Sequence, residues 1–111
     1  MTFGTCFVIR AVNPPTKTYR WIFPDTMHGE FLLRCKVPGA PTLPLEDGFR
    51  LVRFSPGLPS LDTADDYVFG NEYFEEEFYT ESALGRHRAT ATCRPSPSLE
   101  HVRVDVRCTF P

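Results

Sequence analysis

No stretch of this chain approaches the roughly 18 consecutive apolar residues that a membrane-crossing helix needs, so a helical span is excluded as an expectation. No basic region followed by an apolar run opens the sequence, which leans the expected location towards the cell interior. No Asn-x-Ser/Thr acceptor is present, because Asn13 precedes Pro14 and Asn71 is followed by Glu72 and Tyr73. The named chemical signatures are missing as well. There is no CxxC pair, no HExxH, no G-x-S-x-G, no calcium-loop order of acids and no glycine-rich run before a helix. Those gaps remove zinc ribbons, thioredoxin-like redox motifs, serine-hydrolase elbows and phosphate-cradling loops, and the expectation is no metal and no cofactor. Lysine is scarce, two residues against ten Arg. The Arg fork suits paired contacts better than a Lys ammonium does.

What is present is apolar, aromatic and punctuated. The 111 residues include ten Phe, four Tyr and one Trp, enough for one core in one domain spanning residues 1–111. Eleven Pro and seven Gly are spread along the chain and favour short elements joined by turns.

The four cysteines, Cys6, Cys35, Cys93 and Cys108, lie far apart. Two disulfides with three connectivities are compatible with them, and would place the protein outside the cell. Four buried thiols acting as small hydrophobes are equally compatible and match the intracellular expectation.

Net charge is −2, which argues against general nucleic-acid binding. That sum conceals an asymmetry. Between Phe54 and Gly85 stand eight acids and no Lys or Arg, whereas residues 1–53 and 86–111 each carry an excess of three positive charges. The acidic segment therefore either lies against the basic parts of its own chain or offers a surface to a basic partner.

Alternation of apolar and polar residues marks the strands. "TFGTCFVIRAV" (2–12) is the first, rich in β-branched and aromatic residues and stopped by "NPP". "KTYRWIF" sets Tyr19, Trp21 and Phe23 against Thr18, Arg20 and Ile22. In "HGEFLLRCKV", Phe31, Leu33, Cys35 and Val37 share one face, and His28, Glu30, Arg34 and Lys36 share the other. "GFRLVRF" is a fourth strand. In "HVRVDVRCTF", Val102, Val104, Val106, Cys108 and Phe110 turn inward while Arg103, Asp105, Arg107 and Thr109 turn out. "HRATATC" reads as its partner with Ala89, Ala91 and Cys93 inward, joined through "RPSPSLE" as a loop. A bulky group is expected above the small alanines. Residues 62–87 admit two readings, a strand through Tyr67–Phe69 followed by either a strand or a short helix over 72–83.

These signals predict an all-β fold, an antiparallel β-sandwich or small barrel of about six to eight strands, with room for one short helix. The spacing of Cys6 and Trp21 and the string "DTADDY" depart from the immunoglobulin pattern where it is specific. Asp66 stands in place of the corner Tyr and Val68 in place of the second Cys, so no family is assigned.

The leading functional expectation is a non-enzymatic binding module. The stretch "DDYVFGNEYFEEEFY" combines anchoring aromatics with steering carboxylates and predicts a surface of Asp65, Asp66, Tyr67, Glu72, Tyr73, Glu75, Glu76 and Glu77 for a protein partner with a basic face. Pairing with a second copy through an exposed edge strand is the other association the pattern allows. A competing expectation is a small ribonuclease-like hydrolase. In it His28 or Glu30 would take a proton, His87 or His101 would return one, and Arg34 would steady a phosphorane. A third is a carrier enclosing a small apolar ligand among the aromatics.

Overall fold

A computed structural model describes residues 18–67, 75–98 and 103–111. The expected first strand over 2–12 lies outside them, as do Cys6, Glu72, Tyr73, His101 and Val102. Among the described residues there are nine strands and no helix: β1 (Tyr19–Pro24), β2 (Gly29–Arg34), β3 (Leu45–Glu46), β4 (Phe49–Arg53), β5 (Ser60–Asp62), β6 (Glu77–Ser82), β7 (Gly85–Arg88), β8 (Thr92–Pro97) and β9 (Val104–Phe110). They form two sheets, ordered β3-β4-β1-β6-β7 and β5-β2-β9-β8. The all-β sandwich is thus the observed architecture.

Both sheets are mixed rather than purely antiparallel. β1 runs parallel to both neighbours, β4 and β6, and β2 runs parallel to β5. The chain explains this by shuttling between sheets. Wherever two successive strands stay in one sheet (β3–β4, β6–β7, β8–β9) they make antiparallel hairpins. Where the chain leaves β2 and returns as β5, or leaves β4 and returns as β6, it re-enters in the same direction, whereas β3 returns antiparallel to β1. A strand flanked by parallel neighbours is buried on both faces, and all six residues of β1 are buried.

The inner face of the sandwich is the one alternation selects. Tyr19, Trp21, Phe23, Phe31, Leu33, Cys35, Val52, Phe54, Val106, Cys108 and Phe110 form one cluster. Phe23 is its centre, with ring centroids 5.0 Å from Phe31, 4.9 Å from Phe110 and 5.6 Å from Phe54. Offset and edge-on aromatic pairs at these spacings add to the burial of apolar area. These rings occupy the centre of the intersheet space among the described residues.

Three expectations need correction. "HRATATC" is not one strand: Arg86–Arg88 belong to β7 in the first sheet, and the chain crosses over at Ala89–Ala91, which pack at the margin of the core. The proline-rich "RPSP" is not a loop but the body of β8. β8 is an edge strand, where a proline without an N–H is tolerated. Asp105, assigned to the wet face, is 5% exposed. Its carboxylate accepts the Cys35 amide N–H at 3.1 Å and the Arg103 Nε at 3.0 Å, which satisfies the charge in place.

Cys93 and Cys108, register partners in the β8–β9 ladder, are joined by a disulfide. The four-thiol reading is thereby corrected. Cys35 is a buried free thiol, its pKa pushed up to about 12 by burial first and by the negative charge of Asp105 second.

Of four cysteines two are bonded, so a denatured, unreduced chain should react at no more than two thiols. Replacing Cys93 and Cys108 by Ala opens a loop with a sequence separation of 15. The replacement should lower the urea-unfolding free energy by about 3 kcal/mol.

Candidate functional site

Polar side chains gather in three places, and each follows from strand register. The first is the concave outer face of the five-stranded sheet. Glu46 on β3 and Arg86 on β7 belong to opposite edges of that sheet, yet their side chains meet in a two-bond fork at 2.6 and 3.1 Å. The sheet must curl into a half-barrel to allow it. Arg20, on the central strand, fills the enclosed space and is only 8% exposed. Its Nη1 donates to Glu46 at 2.8 Å and Asp47 at 2.9 Å, and its Nε donates to Glu77 at 2.8 Å. The guanidinium lies 4.5 Å over the Phe49 ring, a cation–π contact strengthened by desolvation. The Tyr79 hydroxyl also donates to Glu77, at 2.9 Å. Hydrogen bonds from Arg86 and then Arg20 hold the Glu46 carboxyl down at about 2. Glu77 is lowered too: burial opposes ionisation, but bonds from Tyr79 and Arg20 outweigh it.

The Asp47-Gly48 turn makes this possible. Both residues have positive φ, 54° and 86°, the backbone of a two-residue I′ hairpin. It carries Glu46 and Asp47 over Arg20. The string "EDGF" held that signal in the sequence, and it was missed.

The second place is the acidic-aromatic segment. Asp65 accepts the Leu43 amide at 3.0 Å and so pins a loop. Asp66 is exposed and accepts the Tyr67 amide at 2.8 Å. The Tyr67 ring stacks on the buried Tyr19 ring with centroids 6.0 Å apart and an 8° interplanar angle. Glu75 is exposed, and its backbone carbonyl accepts from Thr18. Glu76 accepts the Trp21 indole N–H at 2.9 Å, and burial raises its pKa despite that bond. Burial and the neighbouring Glu76 charge raise the Tyr67 pKa. Glu77 belongs to the Arg20 network. Glu76, Glu77 and Asp65 are therefore committed within the fold, whereas Asp66 and Glu75 are exposed.

The hydrolase set does not converge. Glu30 and Arg34 lie on β2 in the second sheet, and His87 lies on β7, the edge strand of the first, opposite Thr80. His28 precedes β2 at the positive-φ Gly29, stacks on Phe110 at 5.0 Å and contacts the Pro111 carbonyl through Nδ1 at 2.8 Å. His28, before β2 against Phe110, and His87, on β7 of the other sheet, do not share one strand face.

The third place was not foreseen as a site. On the outer face of the second sheet, Arg34, Arg103, Arg107, Ser96, Ser98 and Asp105 line a cavity of about 210 Å³, with Leu32 and Pro97. The alternation Arg103-x-Asp105-x-Arg107 was legible in the sequence. What sequence could not supply was the register that sets Arg94 of β8 directly opposite Arg107.

No protein-family model matches the chain, and no curated protein sequence matches it. Among solved structures, a candidate lipoprotein of Bacillus anthracis, determined at 2.75 Å, superposes with a TM-score of 0.66. The match covers 86% of this chain and 69% of that one at 20% identity. At that identity the likeness shows a shared fold.

Arg20→Ala should destabilise the protein by about 3 kcal/mol in urea unfolding, because it strands carboxylates that were paired. The value lies at the low end of that range because Asp47 keeps 77% of its side-chain exposure and remains hydrated. Glu46 adds a pH signature. Its folded pKa lies below its unfolded one, so its stabilisation is complete above about pH 4.5 and is lost as pH falls towards 2. Glu46→Gln should flatten the stability profile across that window.

Proposed function

We propose that this chain is a non-enzymatic binding module that works in an oxidising compartment and engages a protein partner with a basic surface. The observation that carries the reading is Tyr67. It is half-buried, its ring held by stacking on Tyr19; the exposed Asp66 precedes it in the chain, and the exposed Glu75 is tied through its backbone to Thr18, next to Tyr19. An aromatic already fixed in place loses little side-chain entropy on binding. Carboxylates at its rim attract a basic partner without being buried themselves. The Cys93–Cys108 disulfide supports the compartment, since such bonds persist where the environment is oxidising. The fold shared with a candidate lipoprotein points the same way.

Among the expected surface residues, exposure supports a division of labour. Asp66, Tyr67 and Glu75 are the contact residues of this proposal, and Asp65, Glu76 and Glu77 hold the platform from beneath. Charge reversal therefore separates them. Asp66→Lys with Glu75→Lys should abolish binding of Arg- and Lys-rich peptides on an array while Tm stays within a degree or so, as expected for surface changes away from structural contacts. Glu77→Lys should instead lower Tm by several degrees. Peptide capture that survives both Asp66→Lys/Glu75→Lys and Tyr67→Ala sinks the proposal.

A further inference from the structure

The outer face of the second sheet carries more arginines than carboxylates. One row crosses it through register partners Ser60 (β5), Leu32 (β2), Arg107 (β9) and Arg94 (β8). Two like charges directly opposite on neighbouring strands oppose strand pairing, yet here Arg94 faces Arg107 beside the cavity. Across the whole face, Arg34, Arg94, Arg103 and Arg107 stand against Glu30, Asp62 and Asp105.

The pairings are unequal. Arg103 is held to Asp105 at 3.0 Å, both largely buried, and the pair forms the floor. Arg34 meets Asp62 at 3.5 Å and Arg107 meets Glu30 at 3.5 Å, all four side chains substantially exposed. A charge-assisted hydrogen bond is shorter, about 2.7–2.9 Å. The forks of Arg34 and Arg107 are therefore only loosely engaged, and both line the cavity. Among the described residues Arg94 has no carboxylate partner.

We propose that this cavity is an anion site for a phosphoryl group carried on a small organic part. Guanidinium forks on two strands, with the Ser96 hydroxyl in the same lining, offer more donors than the two oxygens of a carboxylate accept. A tetrahedral oxyanion matches them better, and Arg is the residue that binds it in a fork. Leu32 and Pro97 provide apolar wall for the organic part. The cavity is smaller than the roughly 300–1,000 Å³ of pockets that bury drug-sized ligands, which favours a small phosphoester. The bound charge would also relieve the Arg94–Arg107 repulsion. This site lies on a different face from the Tyr67 surface and does not depend on it.

Isothermal titration at low ionic strength with glycerol 3-phosphate tests the assignment. Saturable binding in the millimolar range or tighter is expected, competed by inorganic phosphate and weakened by salt. Arg34→Ala and Arg107→Ala should each reduce affinity about tenfold or more with Tm unchanged. Arg34→Lys and Arg107→Lys, which keep the charge and lose the fork, should fall between wild type and the alanine variants. Asp62→Asn, which frees Arg34, should tighten binding. Vesicles of phosphatidic acid in neutral lipid identify the source of the phosphoryl group. Cosedimentation that requires Arg34 and Arg107 assigns a lipid headgroup, and binding of the soluble ester without cosedimentation assigns a free metabolite. Absence of saturable binding to all three probes, or equal affinity in wild type and both alanine variants, overturns the site.

Discussion

Arg20 is the residue on which the first sheet turns. A guanidinium in the middle of a central strand would be costly to bury alone, and its cost is met by carboxylates delivered from β3, from the β3–β4 turn and from β6. That demand dictates shape. Glu46 can reach Arg20 only if the β3–β4 hairpin folds over the sheet, and once there it also reaches Arg86 on the far edge. A flat five-stranded sheet would leave two long edges and an exposed Arg; the curled one has its edges tied together by charge. The aromatic rings of Phe49 and Tyr79 lie near the guanidinium and keep the interior of the curl partly dry.

The same network accounts for part of the acidic asymmetry seen along the chain. Carboxylates concentrated in one segment and Arg concentrated elsewhere meet because the register aligns Glu77 with Arg20 and Glu81 with Arg86. The excess of Arg over Lys has a structural use here as well, since Arg20 contacts three acids with two nitrogens while stacking on a ring. In the described part of that segment Asp66 and Glu75 are exposed, and Asp62 is partly exposed beside Arg34.

Legibility from sequence followed physical range. Alternation identified β1, β2, β4 and β9 and placed Tyr19, Trp21, Phe31, Leu33, Val106 and Cys108 in the core correctly, because burial of one face is a local, period-two property. It misjudged Asp105 as wet and gave no sign that Arg20 would be buried. Alternation reports which side of a strand a residue occupies, not whether another element covers that side. It also read "RPSP" as a loop, because proline marks a strand's end except at a sheet edge, and edges are defined only by topology. The parallel pairings of β1 were out of reach, since they depend on the order in which the chain crosses between sheets. Glu30 and Arg34 were correctly set on one face, but His87 belonged to the other sheet. The cavity beside Arg107 needed a register that the cysteine spacing did not reveal.

The shuttling of the chain between sheets also governs how the fold can come together. Arg20 waits for a partner 57 residues downstream, and β2 has its antiparallel partner β9 near the far end of the described chain. Neither sheet consists of a contiguous run of sequence, so neither can form ahead of the other as an independent unit. Closing such distant pairings costs chain entropy before they return any stabilisation, which makes folding slow. The three hairpins are the local pieces from which it can start. Of these, β8–β9 is the one that a covalent bond then locks.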